Sequence, residues 1–273
     1  MSRDWYGSST LLWGGTIRQI ADKFTAAGLD GVELWTEQFR FSGFRINAVK
    51  EVLMDAGLGL TLHAPSWDLN ICSLNEGIRE QSLAEIERSV ALAADLGAED
   101  VTIHPGRITV NERWTEWHLE KMQHSLDRLE RIAIREGVPL SVEMMEDRDG
   151  ELVTGPETMN RLVRHRSPFV TVTVDTAHVP FSRSPFIEMN ALCRVGKLHV
   201  SDATANRFHV PLGKGKIDVK PAIRAAAERK IIRVIEGFDY LGESGMLKEN
   251  VEYLKKNGLF GMEEIMHEIP GDE

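Results

Sequence analysis

Short apolar runs alternate with longer amphipathic stretches along the whole chain. The runs are SSTLLWG (8–14), GVELW (31–35), LTLHA (60–64), DVTIH (100–104), LSVEMM (140–145), VTVTVD (170–175), KLHVSD (197–202) and IRVIEG (232–237). Each is bounded by turn residues, and most are β-branched, which predicts strands. Between them apolar positions recur at helical spacing, as over 78–96 (Leu83, Ile86, Val90) and again over 114–134. Gly28, Gly57, Gly97 and Gly137 each close such a stretch shortly before a strand, where a helix ends in left-handed backbone. Eight such repeats in 273 residues predict one (β/α)₈ TIM barrel, a fold of about 250 residues. The strands are nearly continuous apolar runs, as in a parallel sheet covered on both faces. The alternative, an open doubly wound sheet, lacks a Gly-rich phosphate loop after the first strand. The barrel is expected to span 1–260, with the acidic GMEEIMHEIPGDE (261–273) as a loosely attached tail.

Composition narrows the class. The chain is 42% hydrophobic and 27% charged, and no apolar run approaches the ~20 residues of a membrane span. Its first residues do not read as a signal peptide. Cys72 and Cys193 are the only cysteines, read as two reduced thiols of a cytoplasmic protein. The formal net charge of -10 disfavours a broad grip on nucleic acid or anionic lipid, although bound metal would offset part of it. No membrane partner is expected. No helix face is apolar enough to decide for or against a homo-oligomer.

Polar residues then change the picture, because the apolar strands repeatedly end in His, Asp or Glu. The third run carries His63 and the fourth ends in His104. The fifth carries Glu143. The sixth ends in Asp175, with His178 beyond it. The seventh carries His199, with Asp202 beyond it, the eighth carries Glu236, and the second offers Glu33. In a barrel these ends converge on one mouth. Carboxylates gathered there repel one another unless something positive lies between them, and imidazole with carboxylate is the ligand set of first-row divalent metals. Single members have plainer readings. Glu33 divides evenly between a strand-end ion pair and a place behind a metal ligand or against the substrate, and Asp202 reads as a loop residue or helix cap. His118, His124, His165 and His267 read as solvated. Trp13, Trp35 and Trp67 are candidates for either pocket wall or core.

The segments LTLHAPSWDLN (60–70), VTIHPG (101–106), LSVEM (140–144), VTVDTAHV (172–179), KLHVSDA (197–203), FHVPLGKGKID (208–218) and VIEGFD (234–239) come in an order and spacing that resembles the xylose isomerase-like barrel superfamily. That superfamily includes sugar isomerases and epimerases and the endonuclease IV-like, AP endonuclease family 2 proteins. The resemblance covers nearly the whole chain. It implies that Glu143, Asp175, His199 and Glu236 hold a divalent ion (manganese, zinc, magnesium or cobalt), and that His63 and His104, with Glu143 bridging, hold a second. The third-metal ligands of the nuclease branch fall on His178, His209 and position 207. That position is Arg207 rather than aspartate, and it looks like the substrate-binding arginine of the epimerases.

Two activities fit. The preferred one is isomerisation or epimerisation of a small sugar, sugar phosphate or polyol through an enediolate. Glu143 and Glu236 would move the proton, while His178, Arg207, His209 and Glu33 contact substrate. The other is cleavage of a phosphodiester or of abasic DNA by two or more zinc ions. Arg40 and Arg45 are the sparse basic residues in the loops that would face a nucleic acid. A barrel that only binds a ligand is the third reading.

Overall fold

Parallel pairing runs unbroken around eight strands in the computed structural model, which describes residues 5–240 and 245–261. The strands are β1 (Trp5–Ser8), β2 (Gly31–Trp35), β3 (Gly59–His63), β4 (Val101–Ile103), β5 (Leu140–Met144), β6 (Val170–Asp175), β7 (Val195–Val200) and, after the hairpin β8 (Asp202–Thr204) and β9 (Arg207–Val210), β10 (Ile232–Ile235). Their order around the closed barrel is β1-β10-β7-β6-β5-β4-β3-β2. The helices are α1 (Ile17–Ala27), α2 (Thr36–Phe41), α3 (Ile46–Ala56), α4 (Glu76–Leu96), α5 (Thr115–Glu136), α6 (Pro156–Val163), α7 (Pro185–Ala191), α8 (Lys220–Glu228) and α9 (Gly245–Lys256). None of the described helices is long and apolar enough to cross a membrane. Cys72 is buried, Cys193 is exposed, and both are free.

Local signals explain the helix ends. Thr16 and Gln19 form a reciprocal capping box at the start of α1, and Ile17, Ile20, Ala21 and Phe24 then bury one stripe. The four expected glycines end α1, α3, α4 and α5 at φ 86°, 69°, 75° and 71°, a backbone region that disfavours side chains.

Two readings change. The first strand is Trp5–Ser8, earlier than expected, and Ser9–Leu12 form a 3₁₀ turn across the barrel mouth. All four residues of that turn are buried, so an apolar run could not distinguish turn from strand. His118 is buried rather than solvated. Its Nε2 accepts the Thr109 backbone N–H at 3.0 Å, and its Nδ1 donates to the Trp114 carbonyl at 2.8 Å. Asp202 anchors the loop after the hairpin by accepting backbone N–H groups of Gly213, Gly215 and Ile217 at 2.9–3.0 Å. His124 and His165 are exposed as expected. His267 and all of the expected tail beyond Gly261 lie outside the described residues.

The barrel axis holds a polar layer that the apolar runs do not announce. Lys197 is fully buried, with Nζ 2.7 Å from Glu33 Oε2, 2.6 Å from Asp100 Oδ1 and 2.9 Å from Thr102 Oγ1. Ser141 and Thr173 bond each other beside it at 2.6 Å.

Candidate metal centre

The strand ends deliver the expected side chains to one mouth. His63 ends β3, His104 follows β4, Glu143 lies in β5, Asp175 ends β6, His199 lies in β7 and Glu236 follows β10. His178 ends the single turn after β6, and His209 enters from β9. Three sets form, in each of which one ligand atom per residue lies within 4.8 Å of the others: Glu143, Asp175, His199 and Glu236; His63, His104 and Glu143; and Asp175, His178 and His209. Asp175 takes the carboxylate place that Arg207 denied to the third set. Glu143 and Asp175 each serve two sets, so the three are contiguous.

Distances show which atoms face the centre. His199 Nδ1 lies 2.6 Å from Glu236 Oε2 and 3.3 Å from Glu143 Oε1. Glu143 Oε2 faces His104 Nε2 at 3.0 Å and His63 Nε2 at 3.4 Å. His209 Nδ1 is 3.6 Å from Asp175 Oδ2. A carbonyl only accepts, so the contacts His63 Nδ1 to Ala64 O (2.8 Å) and His178 Nδ1 to Met144 O (3.0 Å) place the proton on Nδ1 in both rings. Each Nε2 then offers a lone pair inward.

Electrostatics agree with a centre built for positive charge. Burial alone would push Glu143 up, but the His199 and His104 imidazoles outweigh it and hold its carboxyl well below the usual range. His199 does the same for Glu236 against the same penalty. At Asp175 burial prevails over His178 and His209, and the carboxyl is pushed up to about 6. Burial pulls His178 down, yet Asp175, Glu143 and Glu146 lift it to about 9. These directions belong to the metal-free protein.

The residues fit a divalent ion on independent grounds. Glu143 Oε1, Asp175 Oδ2, His199 Nδ1 and Glu236 Oε2 are buried and make no hydrogen bond within the protein. They face other groups only as ion-pair contacts, without a well-directed hydrogen bond. Four such atoms at one point, one from each member of the same set, call for a shared cationic partner. Their mixed oxygen and nitrogen chemistry suits a first-row divalent metal.

Glu33 sits beneath this set. Its Oε1 is 3.0 Å from His199 Nε2 and its Oε2 is bound by Lys197. Burial opposes ionisation, but His199 and Lys197 bring the carboxyl down to about 2. It does not line the cavity, so the expected substrate contact gives way to the ion-pair reading, with His199 held from behind.

A cavity of about 300 Å³ opens over the centre, and Glu143, Glu236, His104, His178 and His209 all line it. Arg207 does not: it is exposed at the start of β9. Alternation along a strand would put 207 and 209 on one face. His209, however, has φ 52°, and this left-handed residue breaks the alternation. Among the described residues the arginine that lines the cavity is instead Arg107, whose Nε is 2.9 Å from Glu151 Oε1. Arg107 follows the HPG of VTIHPG directly, and Glu146 follows LSVEMM directly. Proximity to those motifs was the available signal for both, and the sequence reading overlooked it. Thr10, Ser66 and Phe238 also line the cavity: Ser66 and Phe238 fall within LTLHAPSWDLN and VIEGFD, and Thr10 comes from the 3₁₀ turn.

The sequence profile of the xylose isomerase-like TIM barrel family matches residues 21–257. The chain belongs to that family. An uncharacterized protein of Methanocaldococcus jannaschii is 29% identical over 223 residues, covering 80% of this chain and 82% of its own. A protein of Haloarcula marismortui named probable endonuclease 4 is 26% identical over 180 residues, 63% of this chain and 62% of its own. Among solved structures, a D-tagatose 3-epimerase-like protein superposes with a TM-score of 0.78 at 22% identity, covering 93% of this chain and 99% of that one. The 3-keto-D-glucoside 4-epimerase of E. coli has a TM-score of 0.74 at 16% identity, covering 93% and 99%. At these identities the structural likeness establishes the barrel.

Proposed function

We propose that the barrel is a divalent-metal-dependent epimerase or isomerase of a small sugar, sugar phosphate or polyol. The observation that carries this reading is the pair Glu143 and Glu236. Both carboxylates line the cavity, flank His199 Nδ1, and are ionised at neutral pH in the metal-free protein. One carboxylate removes the proton from the carbon beside a substrate carbonyl, leaving an enediolate. The other, once it has taken up a proton from solvent, returns it to the opposite face for epimerisation, or the abstracted proton goes to the neighbouring carbon for isomerisation. A bound divalent ion would supply Lewis-acid polarisation of vicinal substrate oxygens. Glu143, Asp175, His199 and Glu236 would hold it. His178 and His209 stand where substrate hydroxyls would reach them. The epimerases among the fold neighbours support the reading.

The second reading, metal-assisted phosphoester cleavage, is favoured by the two further ligand sets, each with two histidines, and by the relative named as an endonuclease. Metal content per chain after loading and desalting separates the two. About one ion per chain supports the sugar reading, and two or more support the phosphoesterase. The direct test of the first is solvent exchange. Incubated in D₂O with a panel of ketoses and sugar phosphates, the loaded protein is expected to place deuterium on the carbon beside the carbonyl. Glu143→Gln and Glu236→Gln are each expected to slow turnover by about 10²–10⁴-fold. Full turnover in both variants would remove the proton-shuttle role. Nicking of an abasic duplex with no sugar turnover would reverse the order of the readings.

A further inference from the structure

We propose that one side of the cavity is a second subsite that takes a neutral pyranose ring joined to the reacting sugar, so that the substrate is a glycoside. This rests on the sugar reading above and adds the substrate class.

The strand order divides the mouth into two unlike arcs. From β4 through β7 and the hairpin, the lining is charged or imidazole apart from Met145: His104, Arg107, Glu143, Glu146, His178 and His209. From β10 through β1 and β2 to β3, the arc is built of rings. Trp35 stacks on His63 at 3.9 Å with the planes 8° apart, which joins this arc to the ligand sets. Trp67 lies 5.7 Å from Trp35, Trp13 lies 5.3 Å from Trp67, and Phe238 lies 5.5 Å from Trp13. Tyr240 extends the arc outward, 6.5 Å from Phe238. The outer rings are open to solvent: Trp67 is 49% exposed, Phe238 44% and Tyr240 63%. Half-exposed rings in contact with one another and continuous with a cavity mark a binding surface, not a stray exposed residue.

The chemistry of the arc selects the ligand. A pyranose presents C–H groups on its faces, which aromatic rings cover, and hydroxyls around its edge, which need hydrogen-bonding partners. The arc supplies those partners. Trp35 Nε1 and Ser66 Oγ are buried, belong to residues that line the cavity, and make no hydrogen bond within the protein. A phosphate would need a cation. Arg107, the one Lys or Arg lining the cavity among the described residues, belongs to the other arc. Trp67 and Phe238 line the same cavity as Glu143 and Glu236, and their exposed faces continue beyond it to Tyr240. A cavity of about 300 Å³ is at the small end for ligand sites, so the outer ring lies against the half-exposed faces rather than in an enclosed chamber.

The test is calorimetric titration of metal-loaded protein with D-glucose and D-fructose on one side and cellobiose, maltose and sucrose on the other, with tryptophan fluorescence followed in parallel. At least one disaccharide is expected to bind about tenfold more tightly than its component monosaccharides, the worth of roughly one stacked ring. Binding should quench fluorescence. Trp67→Ala, and separately Phe238→Leu, should shrink that ratio toward one while weakening monosaccharides less. If monosaccharides and disaccharides bind alike, or both variants weaken them equally, the subsite is wrong while the sugar reading stands. If no sugar binds and an abasic oligonucleotide does, the sugar reading falls and takes the subsite with it.

Discussion

Replacing Lys197 with methionine tests the polar layer under the site most directly. The Lys197 ammonium is fully buried between Glu33 and Asp100, at 2.7 and 2.6 Å. Methionine keeps most of the side chain's length and volume but removes the charge and all three donors. Glu33 and Asp100 are then left as buried carboxylates with no cation between them. Breaking a buried ion pair by removing one partner costs about 3–5 kcal/mol. A domain is stable by about 5–15 kcal/mol in total, so the variant should fold but lose a large fraction of that margin. At about 2–4 °C per kcal/mol, the expected drop in Tm is about 6–20 °C. Urea unfolding of metal-free protein, followed by circular dichroism, should show a lowered midpoint with an unchanged slope. Adding Glu33→Gln should recover part of the loss, because one stranded charge is gone. A double-mutant cycle should therefore give a coupling of about 1–3 kcal/mol. A loss under ~1 kcal/mol in the single variant, or strict additivity in the double, would refute the claim that this ion pair holds the layer together.

Three further outcomes are expected. Glu33→Gln should cost most stability at neutral pH. The folded Glu33 is depressed to about 2 from an ordinary 4.5, so its contribution is complete above about pH 4.5 and is lost as pH falls toward 2. Urea midpoints of both proteins at pH 7, 5 and 3.5 should converge, and a constant gap would contradict the shift. Asp202→Ala strands the backbone N–H groups of Gly213, Gly215 and Ile217, and should cost about 1–3 kcal/mol and speed protease cleavage within 211–217. Arg207→Ala should stay within about 0.5 kcal/mol in stability and leave ligand affinity unchanged, whereas Arg107→Ala should alter affinity. A fall in affinity with Arg207→Ala alone would restore the position to the site.

The sequence alone determined the architecture and which polar residues meet at the barrel mouth. Parallel strands buried on both faces must be apolar throughout, so the eight runs stand out, and a helix that ends in left-handed backbone needs the glycines at 28, 57, 97 and 137. His63, His104, Glu143, Asp175, His199 and Glu236 were legible because, although one titratable group at a strand end has plain explanations, such groups on strand after strand must meet where the strand ends converge. What tertiary structure decided lies where local pattern carries no information. A buried 3₁₀ turn and a buried strand have the same composition, so Ser9–Leu12 could be read as either. One residue with φ 52° turns His209 inward and leaves Arg207 outside, and hydrophobicity does not report a backbone angle. The pairing of Lys197 with Glu33, 164 positions apart, and the aromatic arc assembled from four separate segments of the chain exist only once the barrel closes. Ion pairs and ring contacts follow from distances in space, and closure of the sheet sets those distances for residues remote along the chain.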